Sequence, residues 1–301
     1  MKFLKYWSIV LVYTMTSCTL EKTDYEAEIA TVVTEYAAFR EVTSLKVGNY
    51  NICIEALNGT FYKGYNEIHV KVFDFNTNKT VVPTSVSFLP IITLANDTKS
   101  SCPHQYNMKY KPAEEYFAGY SVFTDENKEG TWQINIKMTI NDQVMSGTQT
   151  ISVLPQKNKN LGMTTFTGND GEKYYIALVA PQKPKVAENT LIAGIYKYNK
   201  PTISEPNEYS FTEVRNHTLK LDPRMPEPSM GNHSSPNNKD LTQEQDGFYH
   251  GIVNYTMTGN WTLNMILLDS NGKVIKGTNV SEDFTPGVQG LKSSLFIDIL
   301  F

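Results

Sequence analysis

Short runs of alternating apolar and polar residues, separated by Asn, Gly, Asp and Pro, are the feature that most constrains the fold of this chain. Residues 67–73 read Glu-Ile-His-Val-Lys-Val-Phe, and residues 132–140 and 261–268 alternate in a similar way. A period of two places successive side chains on opposite faces of a strand. No long amphipathic helical pattern accompanies these runs. Many short strands at regular spacing predict an all-β fold built as a β-sandwich.

A polar stretch without periodicity, residues 156–162, divides the strand-rich part of the chain. We predict that this stretch is a linker between a first β-sandwich domain, residues 45–155, and a second, residues 163–301. Each of these segments has an ordinary domain length. Residues 18–44 precede them without a clear period, and we predict that they form a tether.

Residues 1–17 have the layout of a secretory signal peptide, with lysines at the start and an apolar run behind them. The apolar run, residues 6–13, is too short to span a bilayer, which needs roughly 20 apolar residues. The small residue Ser17 precedes Cys18, as in the precursors of bacterial lipoproteins. We therefore predict cleavage before Cys18 and lipidation of that cysteine. The alternative is an ordinary signal peptide with a chance cysteine.

This processing would place the mature chain in the bacterial cell envelope, held to a membrane by its lipid anchor. The loss of Lys2 and Lys5 would take the formal charge from −4 to −6. A mildly acidic chain without a dense basic patch is a poor partner for nucleic acid. The predicted partners are the membrane, through the anchor, and transport proteins of the envelope.

Cys53 and Cys102 are the other two cysteines of the chain. An exported protein lies in a compartment where disulfides persist, so the two residues are candidates for a disulfide. Pairing requires that their Cα atoms lie close together, and the sequence does not fix that distance. A free Cys102 is equally consistent with the sequence.

The two halves of the strand-rich region share a series of landmarks that indicates an internal repeat. Each half has two prolines 13 residues apart, then a glycine, and then a tryptophan at the start of an alternating strand. These landmarks are Pro90, Pro103, Gly119 and Trp132 in the first half, and Pro223, Pro236, Gly251 and Trp261 in the second. We expect each tryptophan to anchor a core between two sheets, because its large side chain buries much apolar area. The alternative is chance similarity between turn-rich sequences.

The second copy reads Met-Pro-Glu-Pro-Ser-Met-Gly-Asn-His-Ser-Ser-Pro over residues 225–236. Asp-Gly-Phe-Tyr-His-Gly follows over residues 246–251, and Gly-Asn-Trp over residues 259–261. These motifs resemble the FixH-like and YtkA-like domains of bacterial envelope proteins, and the first copy resembles them more distantly. Together the resemblance covers most of residues 45–301. It implies tandem immunoglobulin-like domains and an envelope function linked to metal handling, copper in particular.

Thioether and imidazole groups are ligands that suit Cu(I), whereas oxygen-rich sites suit harder ions. Met225, Met230 and His233 lie within nine residues on one proline-rich loop, and Met257 ends a later strand. We predict these four residues as ligands for Cu(I). The alternative is a stiff surface loop whose methionines fill gaps at the edge of the sandwich.

The first copy lacks these soft ligands. Aligning the prolines of the two copies places other residues opposite the first three predicted ligands, namely Ile92, Asp97 and Ser100. A different group in the first copy is a second, weaker candidate for a soft-metal cluster. It consists of Cys102, His104 and Met108.

Motifs of the common enzyme classes are absent from the sequence, including the nucleophile elbow, the His-Glu-x-x-His helix and phosphate-binding glycine loops. The five histidines are scattered along the chain. We therefore predict a non-enzymatic, lipid-anchored envelope protein that binds copper, or assists copper transport, through its second domain. The alternative is a metal-independent module that binds a protein or a glycan, which aromatic residues in stretches such as 106–110 would favour.

Overall fold

A computed structural model describes residues 38–156, 162–200, 206–207 and 209–301. Within these ranges every regular element is a β-strand, and all strand pairs but one short pair are antiparallel. The predicted all-β, β-sandwich fold is confirmed. The predicted signal peptide, Cys18 and most of the predicted tether and linker lie outside the described residues. In the described part of the chain, no helix has the length and apolarity needed to cross a membrane.

Eleven strands form a first β unit. They are β1 Phe39–Val47, β2 Tyr50–Leu57, β3 Phe61–Tyr62, β4 Gly64–Asp74, β5 Ser85–Leu94, β6 Lys99–Ser100, β7 Lys109–Lys111, β8 Tyr116–Phe123, β9 Gly130–Ile140, β10 Gln143–Ile151 and β11 Val153–Leu154. One sheet has the order β1-β2-β4-β8-β7 and the other β10-β9-β5-β6, while β3 and β11 form a short parallel pair. Buried side chains of both sheets share one core, with Ile54 and Val70 from the first sheet and Phe88 and Ile134 from the second. This arrangement is a β-sandwich.

Eleven further strands form a second β unit. They are β12 Met163–Thr167, β13 Lys173–Ala180, β14 Glu188–Tyr198, β15 Phe211–Glu213, β16 Thr218–Met225, β17 His233–Ser234, β18 Lys239–Gln243, β19 Tyr249–Asn254, β20 Asn260–Leu268, β21 Val274–Gly277 and β22 Phe296–Leu300. Their order is β12-β13-β14-β19-β18-β16-β20-β21, with β15 beside β14, β17 beside β16 and β22 beside β20. Because β18 pairs with both β19 and β16, hydrogen bonding continues from one layer to the other. Ile195 and Val253 meet Leu219 and Leu263 in the core.

The two units share their strand order. The path β1-β2-β4-β8-β7 corresponds to β12-β13-β14-β19-β18, and β10-β9-β5-β6 corresponds to β21-β20-β16-β17. The register also corresponds. Pro90 lies opposite the residue two positions after Trp132, and Pro223 lies opposite the residue two positions after Trp261. The alignment of the two halves by their prolines and tryptophans therefore agrees with the pairing of the strands.

The first strand begins earlier than the sequence indicates. β1 starts at Phe39, inside residues 18–44, which the sequence predicts to be a tether. Phe39 pairs with Leu57 at the end of β2, and its ring stacks on His69 with centroids 3.7 Å apart. β1 is an edge strand of its sheet and buries few side chains. Its sequence therefore lacks the apolar–polar alternation by which the other strands are recognised.

An aromatic cluster joins the two units. Tyr65 and Tyr120 of the first unit contact Phe248 of the second, with ring centroids 6.1 and 5.6 Å apart. Tyr120 also lies 6.2 Å from the ring of Tyr196, and its hydroxyl donates a hydrogen bond of 3.0 Å to Glu213. Aromatic pairs contribute roughly 0.5–1.5 kcal/mol beyond the area that they bury. The cluster therefore fixes how the two units pack against each other.

Replacing Phe248 tests this packing. Phe248→Ala should lower the free energy of unfolding by about 1–2 kcal/mol, less than the roughly 3–5 kcal/mol of a core phenylalanine, because the side chain is only partly buried. Urea denaturation measures this change, and small-angle X-ray scattering should show a larger radius of gyration. Phe284→Ala, at an exposed phenylalanine of the same unit, is the matched control and should change neither quantity. Identical results for the two variants would contradict the role of the cluster.

Candidate functional site

The β16–β17 hairpin positions the first of the predicted ligands. Met225 ends β16, His233 begins β17, and the two residues are paired across the antiparallel hairpin. Partners at directly opposed positions present their side chains on the same face of a sheet. Two backbone hydrogen bonds shape the loop between them, from the Met230 N–H to Glu227 O at 2.9 Å and from the His233 N–H to Met230 O at 3.2 Å. The loop therefore brings His233 back opposite Met225, and Met230 lies in the turn between them.

Trp261 contacts both His233 and the segment that contains Met257. The His233 ring meets the Trp261 ring edge to face, with centroids 5.9 Å apart. His233 Nε2 lies 2.8 Å from the hydroxyl of Thr256, the residue before Met257. The indole N–H of Trp261 donates to the Met257 carbonyl oxygen at 3.0 Å. The structure thus brings His233 and the Met257 segment to the same end of the second unit.

The methionines at this end differ in their exposure. Met225 is fully buried and belongs to the core of the second unit. Met230 is partly buried against that core, and Met257 is exposed. The predicted ligands therefore run from the core to the surface, and the sequence-based placement of Met225 on a loop is wrong because the residue ends β16.

The chemistry of the donors restricts the metal. In the part of the chain that the structure describes, no group of three or more His, Cys, Asp or Glu side chains is placed to hold a metal ion. A site at this end therefore depends on thioether sulfur, with His233 as its nitrogen donor. Such a donor set suits Cu(I).

The first unit has the same hairpin with different side chains. Ile92 pairs with Ser100 across β5 and β6, just as Met225 pairs with His233. Ile92 is buried in its core, so the inward position of this hairpin accepts a branched hydrocarbon. Packing alone therefore does not require sulfur at Met225.

The weaker cluster of the first unit lies in a less suitable setting. Cys102 is fully buried with its Sγ 3.2 Å from the Ser121 hydroxyl, and burial raises the pKa of its thiol far above the ordinary value. His104 Nδ1 lies 2.7 Å from the Cys102 carbonyl oxygen, and Met108 is buried in the core. Because metals bind the thiolate, the raised pKa disfavours coordination by Cys102.

The candidate disulfide between Cys53 and Cys102 is wrong for this structure, since both cysteines are buried and free. Cys53 alternates with core residues of β2 and faces away from the core that holds Cys102. Strand register also separates them: Cys53 lies opposite Lys71, whereas Ser121, the partner of Cys102, lies opposite Asn66. Five positions along β4 correspond to about 16 Å. Cα atoms joined by a disulfide are at most about 7 Å apart.

The two thiols should be countable and slow to react. Burial, together with the Glu41 carboxylate, raises the pKa of Cys53 to about 12. A Cys18→Ser variant at pH 8 should therefore be alkylated slowly when folded, because the thiolate is the reactive form. After denaturation without reductant, mass spectrometry should find Cys53 and Cys102 both alkylated. Recovery of a peptide pair linked through these two residues would contradict the structure.

A polar cleft of about 440 Å³ lies on the outer face of the second unit, and it is not predicted from the sequence. Its lining includes Asp222 and Arg224 of β16. The sequence does contain a pattern that indicates such a surface. Every second residue of β16 is charged, at Lys220, Asp222 and Arg224, while the other face of the strand enters the core. Only the fold shows that the segment after β21 borders the same cleft.

Comparison with known proteins assigns no family to the chain. No protein-family model matches it, and no curated protein matches it. The resemblance to FixH-like and YtkA-like domains therefore stays a prediction, and function has to be argued from the sites themselves.

Proposed function

We propose that the second β unit binds Cu(I) at the end formed by Met225, Met230, His233 and Met257. The pairing of Met225 with His233 beside Trp261 carries this proposal. The β16–β17 hairpin supplies two thioether sulfurs and an imidazole nitrogen, and the turn before β20 supplies a third thioether. These are the donor types that Cu(I) prefers.

The graded exposure of the donors suits a carrier. Met257 is open to solvent, so a second protein could reach the metal, whereas the Met225 sulfur lies within the core. We propose that the protein receives copper and passes it to envelope transport proteins, without catalysing a reaction. Anchoring through Cys18, which the sequence predicts, would hold this carrier beside a membrane.

Titration of the signal-less protein with Cu(I) under anaerobic, reducing conditions, against a competing chelator, tests the proposal. We expect one copper per chain and a Kd tighter than micromolar. Met225→Leu conserves side-chain volume and should cost less than about 1.5 kcal/mol of stability. Loss of a partner in the outer shell of a metal site typically weakens metal affinity by roughly 10- to 100-fold. Because Met225 is a proposed ligand, Met225→Leu should weaken copper binding by at least this factor. His233→Ala should have a similar effect on affinity.

Met145→Leu provides the matched control, because Met145 is a partly buried methionine of the first unit. It should leave copper affinity unchanged. Zn(II) should bind far more weakly than Cu(I), since thioether ligands suit Cu(I). A Cu(I) Kd weaker than micromolar, or one that survives replacement of Met225, Met230 and His233 together, would reject the proposal.

A metal-independent interaction function is the second candidate, and the segment between β21 and β22 favours it. Phe284, Val288 and Leu291 of this segment are 46%, 56% and 71% exposed. The segment is fastened to the unit, with Asn232 Nδ2 donating to Ser281 O at 3.0 Å. Apolar side chains grouped on an ordered surface mark sites of protein association.

A double variant, Phe284→Ser with Leu291→Ser, tests this candidate by crosslinked pull-down from envelope extract. The wild-type chain should capture a defined partner with and without a copper chelator, and the double variant should lose it. Val274→Ser, at another exposed apolar residue of the same unit, should retain the partner. Equal capture by the double variant would show that this segment is not the binding surface.

A further inference from the structure

The polar cleft lies on the face of β16 that is turned away from the core. β16 and β20 form its floor, and the segment after β21 forms its rim. Its volume of about 440 Å³ falls within the roughly 300–1,000 Å³ of small-molecule sites. The charged and amide side chains that line it are Lys220, Asp222, Arg224, Asp240, Asn264, Asn279 and Glu282.

Arg224 is the unusual residue of the cleft, because its charged side chain is only 7% exposed. Its Nε donates to Asp222 Oδ2 at 2.9 Å. Its Nη2 lies 3.5 Å from Glu282 Oε1, on a side chain that is 90% exposed. A buried cation is costly unless it is paired and hydrogen-bonded. The long contact with a solvated carboxylate is therefore a weak pair that a better-held carboxylate could replace.

The remaining charges define what else a ligand must carry. Asp222 and Asp240 place carboxylate acceptors in the cleft, and Asp240 Oδ1 accepts the Leu221 N–H at 2.9 Å. Lys220 adds a second cation on the face that holds Arg224. A simple anion would be repelled by the aspartates, and a simple cation by Arg224 and Lys220. A ligand that combines a carboxylate with hydroxyl donors satisfies both sets.

The first unit provides a natural comparison. A cleft of about 310 Å³ occupies the corresponding outer face, with Ser87 and Leu89 on its floor strand. By the alignment of the two prolines, these residues correspond to Lys220 and Asp222. The fold alone therefore produces a cleft at this place, while the charged strand belongs to the second unit only. Lys137 is the one charged residue in the lining of the first cleft. The charges of Lys220, Asp222 and Arg224 are thus an addition to the second cleft that the scaffold does not require.

We propose that the cleft of the second unit binds a small hydroxylated carboxylic acid of the uronic acid type, free or as a residue of a glycan. The ligand carboxylate binds Arg224 in place of Glu282, and its hydroxyls donate to Asp222 and Asp240. In the absence of ligand, the Glu282 carboxylate lies beside Arg224, where the ligand carboxylate would bind. Glu282 therefore competes with the ligand for Arg224. This site is independent of the proposed copper end, because Arg224 and Met225 point to opposite faces of β16.

Calorimetric titration of the purified full chain with glucuronate tests the proposal. Glucuronate should bind saturably, and glucose and acetate, which each supply half of its chemistry, should bind at least about tenfold more weakly. Glu282→Gln should lower the Kd for glucuronate several-fold, because the competing carboxylate is removed. Lys220→Gln should raise it. A disaccharide that ends in glucuronate should bind more tightly than the monomer if the natural source is a glycan, and less tightly if it is the free acid.

Glu244→Gln is the matched control, since it removes the same charge from an exposed position outside the cleft. It should leave the Kd unchanged. The exposed Glu282 and Lys220 can be replaced without disturbing the core, so an effect on folding does not obscure the result. Absence of saturable binding in both the wild type and Glu282→Gln would overturn the proposal. Tighter binding of glycine than of glucuronate would overturn the assignment to a hydroxylated acid.

Discussion

Each β unit depends on one buried tryptophan whose indole N–H is bonded to the segment that precedes its strand. Trp132 donates to Asp125 O at 2.9 Å, and Trp261 donates to Met257 O at 3.0 Å. A buried donor without a partner would cost about 1–3 kcal/mol, so the bond and the burial of the ring stabilise one arrangement together. In the second unit the same ring also meets the ring of His233 in an edge-to-face contact. The candidate copper end is therefore built around the residue that anchors the core.

The shared scaffold explains how the two units can differ in chemistry without differing in fold. The inward position of the hairpin after the first proline holds Ile92 in one unit and Met225 in the other, and both are buried. Their partners across the hairpin are Ser100 and His233. An inward apolar residue maintains the core in either case, so the second unit could acquire sulfur and imidazole at little cost in packing.

The sequence predicts those parts of the structure that depend on local pattern. Alternation identifies most strands, and the landmark prolines and tryptophans give the correct correspondence between the units. Features that depend on contacts between residues far apart in the sequence cannot be predicted from that local pattern. Tyr120 and Phe248 lie far apart in the chain but meet in the cluster between the units. Met225 belongs to a proline-rich stretch that suggests a loop. Pro223 and Arg224 of β16 pair with Leu263 and Thr262 of β20, however, and β16 continues to Met225, which is buried in the core.

The period of two in β16 has a further consequence for the molecule. Met225 faces the core beside Trp261, and Arg224, its neighbour in the chain, faces the outer cleft. Side chains on opposite faces of a strand share a backbone but no contacts, so substitutions at one face leave the electrostatics of the other largely intact. A carrier site for a soft metal and a cleft for a hydroxylated acid can therefore coexist on a single strand. The strand also pairs with β17, β18 and β20 at once, so its backbone is held from both sides while its two faces differ.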